Sequence, residues 1–168
     1  LTVKKTLALS YAVDVPEEKK AKDIDEIVND PEISIVAEVM GGQHPAKEFI
    51  LKALEAGKTV VSANKDMISQ NWPDLEAAAK RSGAGFYFEA AVGGGIPILR
   101  ALNDSMQANS IREVYGIVNG TTNYILTKMD DEGRDFSDVL KEAQALGYAE
   151  ANPESDVEGY DARYKLSI

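Results

Sequence analysis

Short apolar runs and helix-spaced apolar stripes take turns along this chain. Val3–Leu9, rich in β-branched and apolar residues, predicts a strand, and the polar stretch 10–22 predicts a loop. Asp23 is placed to cap a short helix with Ile24, Ile27 and Val28 on one side, closed by Asn29-Asp30-Pro31. Residues 33–40 form an apolar run interrupted only by Glu38, the pattern of a strand buried on both faces. Gly41-Gly42 break it, and from Pro45 a helix carries Ala46, Phe49, Ile50, Ala53 and Leu54 at helical spacing until Gly57. Thr59–Ser62 predicts a strand, 73–81 a helix, and 85–89 another strand. Strand and helix alternate over short connections, which implies a parallel sheet of the doubly wound α/β type.

Beyond Glu89 the pattern changes. Residues 90–96 are small and glycine-rich, Pro97 opens a predicted helix through Met106, and 111–118 predicts a strand. Thr121 or Thr122 is placed to cap a helix reaching about Met129. Phe136, Val139, Leu140, Ala143 and Leu146 mark another helix. We expect residues 1–89 to form a nucleotide-binding domain and 90–168 part of an α+β substrate domain, meeting at a seam near 89–95.

Composition narrows the function classes. At 168 residues the chain can bury one good core, or one domain and part of another, and an apolar fraction of 44% fits a folded protein. Eighteen basic against 28 acidic residues leave a net charge of −10, which argues against nucleic acid or an anionic membrane as partner. No apolar run approaches the length of a membrane span. The sequence holds no cysteine, so no disulfide framework or thiolate nucleophile exists, and a reducing, cytoplasmic location is expected. His44 is the single histidine; it lies in a loop before proline and reads as a local structural or surface residue.

Most of the candidate chemistry lies near the C-terminus. Glu150, Glu154, Asp156, Glu158 and Asp161 crowd a Gly/Pro-punctuated loop that runs into Lys165. Asp161 and Lys165 are four apart, so on a helix they share a face roughly 6 Å apart. They are either an ordinary helix ion pair beside a solvated acidic loop, or carboxylates for a substrate ammonium with a lysine able to pass a proton. Two more loops follow predicted strands, where open parallel sheets bind ligands: Met40-Gly41-Gly42-Gln43-His44, which opens a helix with free N–H groups suited to an anion, and Ser62-Ala63-Asn64-Lys65. The latter, taken alone, is also compatible with a generic turn and an exposed lysine. Residues 89–97 are either a hinge or a place where glycines let carbonyls converge on a small hard cation beside Glu89. Asn119-Gly120-Thr121-Thr122-Asn123 is either a simple N-cap or the lining of a carboxylate pocket.

Residues Ala143 to Lys165, read as alanine and glycine before a short loop, Asn-Pro-x-x-Asp, then Gly-x-Asp-x-x-x-Lys, resemble the signature of homoserine dehydrogenase. Val61-Ser62-Ala63-Asn64-Lys65 and Val118-Asn119-Gly120-Thr121-Thr122-Asn123-Tyr124 resemble the same family. The resemblance covers essentially the whole chain and implies a Rossmann-like fold. It further implies an oxidoreductase that interconverts L-homoserine and L-aspartate 4-semialdehyde with NAD or NADP in threonine, methionine and isoleucine biosynthesis, assembled as a homo-oligomer. It implies that Lys165 is the proton donor and Lys65 a second cation beside nicotinamide and substrate. Glu150 and Asp161 would take the ammonium, and Gly120, Thr121, Thr122 and Tyr148 would line the substrate pocket. Gly41, Gly42, Ser62, Ala63, Asn64 and Gly147 would meet the cofactor. A structural monovalent cation, sodium or potassium, would be held by Glu89, Val92, Gly94 and Ile96.

The resemblance does not extend over the whole family sequence. No Gly-x-Gly-x-x-Gly, the usual pyrophosphate cradle, precedes Val3, and Leu9-Ser10-Tyr11 contains neither an acid nor an arginine to separate NAD from NADP. The family's catalytic domain continues past Lys165. The chain is therefore expected to be a piece of a longer enzyme, inactive by itself. Two other readings stand beside this one: a related dehydrogenase acting on another aldehyde or hydroxy acid, and a non-catalytic domain on a degenerate nucleotide fold.

Overall fold

The computed structural model describes residues 1–11 and 13–168, which divide into two units, Leu1–Glu89 and Ala90–Ile168. In the first unit, strands β1 (Ile35–Glu38), β2 (Thr59–Ser62) and β3 (Phe86–Tyr87) form a parallel sheet in the order β1-β2-β3. The register pairs Ile35 with Thr59 and Glu38 with Ser62, so the charged end of β1 lies beside the hydroxyl end of β2. Parallel neighbours need long crossovers. Helix α1 (Asp25–Val28) precedes the sheet, α2 (Ala46–Glu55) joins β1 to β2, and α3 (Lys65–Ser82) joins β2 to β3.

Helix α2 buries Ala46, Ile50, Ala53 and Leu54, a one-sided stripe at helical spacing. Helix α3 buries Met67, Ile68, Leu75 and Ala78, and ends at Gly83, whose φ of 72° puts its N–H on the Ala79 carbonyl. It starts eight residues before the expected Pro73, because the Asn64 side chain caps the N–H of Met67 and the Met67–Ile68 pair is buried. Pro73 is absorbed within the helix, next to a kink at Asn71.

Two expectations for this unit fail. Residues 3–9 form no strand: among the described residues their pairing is one parallel bridge between Thr6 and Lys20, made by Thr6 N–H to the Lys19 carbonyl (2.7 Å) and Ala21 N–H to the Thr6 carbonyl (2.8 Å). A strand exists only as part of a ladder, and here the ladder has one rung. Nor is the 33–40 run buried on both faces. Ile35 is 44% exposed and Val39 80%, because β1 is the sheet's edge and flanks an apolar cleft shared with residues 1–7.

The second unit is helical: α4 (Ile98–Arg100), continued by a π turn through Ser105, then α5 (Gly120–Glu132), α6 (Phe136–Ala145), α7 (Glu154–Val157) and α8 (Tyr160–Ser167). Its core joins Ile125 on α5 to Val139 and Ala143 on α6 and to Ala149, with Tyr124, Met129 and Leu140 against them. Gly133, at φ 64°, turns α5 into α6. Glu142 on α6 accepts from the Tyr124 hydroxyl on α5 and pairs with Arg134, and these partners hold its carboxyl below the usual carboxylate range. The strand expected at 111–118 is absent. Among the described residues of this unit no strand offers it a ladder, and Val114, Tyr115 and Ile117 are exposed. The helix expected from Pro97 to Met106 forms over residues 98–105, as α4 and its π turn, between Pro97 and Met106 as caps.

Burial separates core from edge in a way that can be measured. Leu54 is fully buried and Val61 is 41% exposed. Leu54→Ala is expected to cost about 2–5 kcal/mol of unfolding free energy, and Val61→Ala about 1 kcal/mol or less, both read by chemical denaturation.

Candidate functional site

In the second unit a cleft of about 560 Å³ is lined by Asn119, Gly120, Thr121, Tyr124, Gly147, Tyr148, Asp156, Asp161 and Lys165. Helix α8 places Asp161 and Lys165 one turn apart, and their side chains meet at 2.7 Å. Asp161 is only 6% exposed, so its carboxylate needs donors. It has Lys165 Nζ and Asn119 Nδ2, the latter at 2.9 Å. Lys165 also donates to the Val118 carbonyl. An ammonium carries three donors, and among the described residues these two acceptors fix its direction.

Asn119 organises this arrangement. Its Nδ2 also reaches Asp156 at 2.7 Å, while its Oδ1 accepts from the N–H and the hydroxyl of Thr122, each at 2.8 Å, capping α5. One buried amide thus fixes the start of α5 and two acids of the α7–α8 segment. Thr121 donates its hydroxyl to the Tyr148 carbonyl at 2.7 Å, tying α5 to the turn after α6. The Tyr124 and Tyr148 rings pack at 5.0 Å. The Tyr124 phenol is pushed above its ordinary value by its hydrogen bond to the Glu142 carboxylate.

Gly120, Thr121, Gly147, Tyr148, Asp161 and Lys165 of the expected set therefore lie around one cleft. Thr122 stands beside it as part of the Asn119 cap. Glu150 is exposed and outside the lining; its main-chain carbonyl accepts from Gln144 at 3.1 Å. Asn119 and Asp156 line the cleft without having been singled out. The signal for Asp156 is its place among the five acids, and for Asn119 its place at the head of the Asn119–Asn123 segment, which reads as a cap or as a pocket lining.

In the first unit the expected cofactor residues cluster at the C-terminal ends of β1 and β2. Gly42 adopts φ 71°, open only to glycine at little cost, and its carbonyl accepts from Asn64 Nδ2 at 2.7 Å. Ser62 is buried, Ala63 and Gly41 are exposed, and half-buried Lys65 opens α3. His44 pairs on the surface with Glu48 at 2.6 Å. Of the expected cation ligands, Glu89 begins a 3-10 turn, Val92 is buried, Gly94 sits at φ 60° and Ile96 is exposed. Among the described residues no group of three or more histidine or acidic side chains is set to hold a metal, and no helix is long and apolar enough to cross a membrane.

Comparison with known proteins places this geometry. Residues 2–89 match the family model described as "Homoserine dehydrogenase, NAD binding domain", and residues 97–168 match that described as "Homoserine dehydrogenase". The chain is 46% identical to a homoserine dehydrogenase of Bacillus subtilis over 172 aligned residues, covering 100% of this chain and 40% of that protein. A crystal structure of a homoserine dehydrogenase from Thiobacillus denitrificans superposes with a TM-score of 0.84 at 49% identity, over 89% of this chain and 35% of that one. A hyperthermophilic archaeal homoserine dehydrogenase in complex with NADPH superposes with a TM-score of 0.79 at 34% identity, over 86% of this chain and 45% of that one. The chain thus spans well under half the length of these relatives. With one model covering more than half of its residues and a second covering the cleft, the chain belongs to the homoserine dehydrogenase family.

Proposed function

We propose that the protein to which these residues belong interconverts L-homoserine and L-aspartate 4-semialdehyde with NAD(P). The first unit would hold the cofactor and the second the amino acid. The single observation that carries this reading is buried Asp161 paired with half-buried Lys165 and held by Asn119, in a cleft that also presents Asp156 and the N-terminus of α5. An amino-acid zwitterion needs both signs of partner, and this cleft supplies both. Asp156 and Asp161 suit the ammonium, with Glu150 a further acid on the same segment. The N–H groups of Gly120 and Thr121 suit the carboxylate.

A bound nicotinamide supplies or accepts the hydride at the carbon bearing oxygen. The chain's own residues supply position and charge. In the reducing direction the substrate carbonyl oxygen gains negative charge and takes one proton, and Lys165, held by Asp161 and Val118, stabilises that oxygen and delivers the proton. In the first unit the Gly41–Gly42 loop and the Ser62–Lys65 turn stand where open parallel sheets take ligands, so they fit a dinucleotide. There Lys65 would serve as the second cation. A monovalent cation would be held by the carbonyls of Val92, Gly94 and Ile96 with Glu89. The cytoplasm, a reducing compartment, and a homo-oligomeric assembly complete the proposal.

Appearance of reduced nicotinamide, followed by its absorbance with homoserine and each cofactor, tests the activity in the full-length protein. There Lys165→Ala is expected to lower kcat by about 10²–10⁴-fold, the range for losing a general acid, with cofactor binding nearly intact. Wild-type kcat in that variant would reduce Lys165 to an ion-pair partner.

Asp161→Asn keeps shape but deletes charge, and is expected to cost about 1.5–3 kcal/mol in kcat/KM, largely as raised homoserine KM. It should also weaken discrimination against 4-hydroxybutyrate, which lacks the amino group. Equal discrimination in wild type and variant would remove Asp161 from ammonium recognition.

Residues 1–168 taken alone contain no Gly-x-Gly-x-x-Gly cradle for the pyrophosphate. Calorimetry on that chain is expected to show weak NAD(P) binding or none, and low-micromolar affinity would overturn that expectation.

A further inference from the structure

We infer that Glu38 is the positioning residue of the cofactor-facing loops in the first unit, an inference that rests on the dehydrogenase reading above. Glu38 is the last residue of β1 and only 4% exposed. A carboxylate brought into a strand of apolar neighbours loses hydration, and that loss must be offset by donors. Both of its oxygens are met. Oε2 accepts from the Ser62 hydroxyl at 2.6 Å, and Oε1 accepts from the Met40 N–H at 2.7 Å. Met40 lies in the loop leaving β1, and Ser62 is the last residue of β2, where the next loop begins.

The contacts close into a ring. Ser62 Oγ, having donated to Glu38, accepts the N–H of Asn64 at 3.1 Å. Asn64 in turn caps α3 through the Met67 N–H at 3.2 Å and reaches back to the Gly42 carbonyl at 2.7 Å. Gly42 is two residues from Met40, where the ring began. The circuit Glu38–Met40–Gly42–Asn64–Ser62 therefore fixes both loops at the crest of the parallel sheet, and Lys65 is the residue after Asn64. Ladder hydrogen bonds hold β1 beside β2 but do not set the path of the chain beyond their ends. Glu38 sets it.

The chemistry calls for a carboxylate. Both partners donate, and an ionised carboxylate accepts at both oxygens, whereas an amide accepts at one end and presents N–H groups at the other. In Glu38→Gln the amide nitrogen must face Ser62. That hydroxyl, already accepting from Asn64, then has to send its proton elsewhere. The bond that couples the two loops is then reversed, running from the amide nitrogen to the Ser62 hydroxyl oxygen, and it loses its charge assistance while the volume of the side chain is kept.

The test uses the full-length protein: NAD(P) affinity by fluorescence titration, with steady-state constants, for Glu38→Gln, Ser62→Ala and the double variant. Glu38→Gln is expected to weaken cofactor affinity about 10-fold or more, with a much smaller change in homoserine KM. Because Glu38 acts through Ser62, the double variant should bind cofactor no worse than about twofold below the weaker single, instead of showing the product of the two effects. Cofactor affinity in Glu38→Gln within twofold of wild type, even with a lowered melting temperature, would overturn the inference, and so would multiplicative losses in the double variant. Should Glu38→Gln fail to fold, Glu38→Asp keeps the charge but, one methylene shorter, cannot span both donors. It is expected to weaken cofactor binding with homoserine KM held, and unchanged cofactor binding there overturns the inference. Failure of the dehydrogenase reading looks different: a wild-type protein that binds NAD(P) without oxidising homoserine discards the substrate assignment and leaves the role of Glu38 measurable by titration.

Discussion

A carboxylate taken out of water has to be met by donors, and each unit of this protein is arranged around one such group. In the first unit it is Glu38, satisfied by Ser62 and the Met40 N–H; in the second it is Asp161, satisfied by Lys165 and Asn119. In each case one donor comes from a segment distant in sequence, Ser62 for Glu38 and Asn119 for Asp161, so meeting the buried charge also fixes where loops run. Removing one partner would leave the acid buried and short of a donor, which is more costly than losing an ordinary surface contact.

Asparagine has the same part in both units. Asn64 caps α3 with its side-chain oxygen and holds Gly42 with its nitrogen; Asn119 caps α5 with its oxygen and holds Asp156 and Asp161 with its nitrogen. An amide side chain can accept from a helix N-terminus and donate to an oxygen on another segment at once. Each helix start is thereby coupled to a loop that carries candidate chemistry. Lys65 follows Asn64 directly, and Gly120–Thr122 follow Asn119.

Much of this was legible in the chain. The alternation of strand and helix over 33–89 follows from a strong hydrophobic pattern, and β2 lies at the residues expected. The Asp161–Lys165 pair follows from helical spacing alone. The strands expected at 3–9 and 111–118 do not form, because an apolar, β-branched run states only that a segment can join a sheet. Whether it does depends on a neighbour, and neither segment has one beyond the bridge at Thr6. The start of α3 was misplaced for a related reason. Pro73 is a good local signal for a helix start, but the cap at Asn64 and the burial of Met67 and Ile68 outweigh it.

The sequence by itself determined the periodicities, the helix stop at Gly57, the acidic balance and the motifs that mark the family. These are properties of single residues or short spacings, and local backbone preference expresses them directly. Only the tertiary structure decided that Glu38 is a latch and not a blemish in an apolar strand, that Asn119 reads two acids as well as a helix end, and that Asp156 lines the cleft while Glu150 does not. Those outcomes rest on hydrogen bonds between residues 24 to 42 positions apart. Such partners are chosen by the register of the sheet and the packing of helices, which no local pattern encodes.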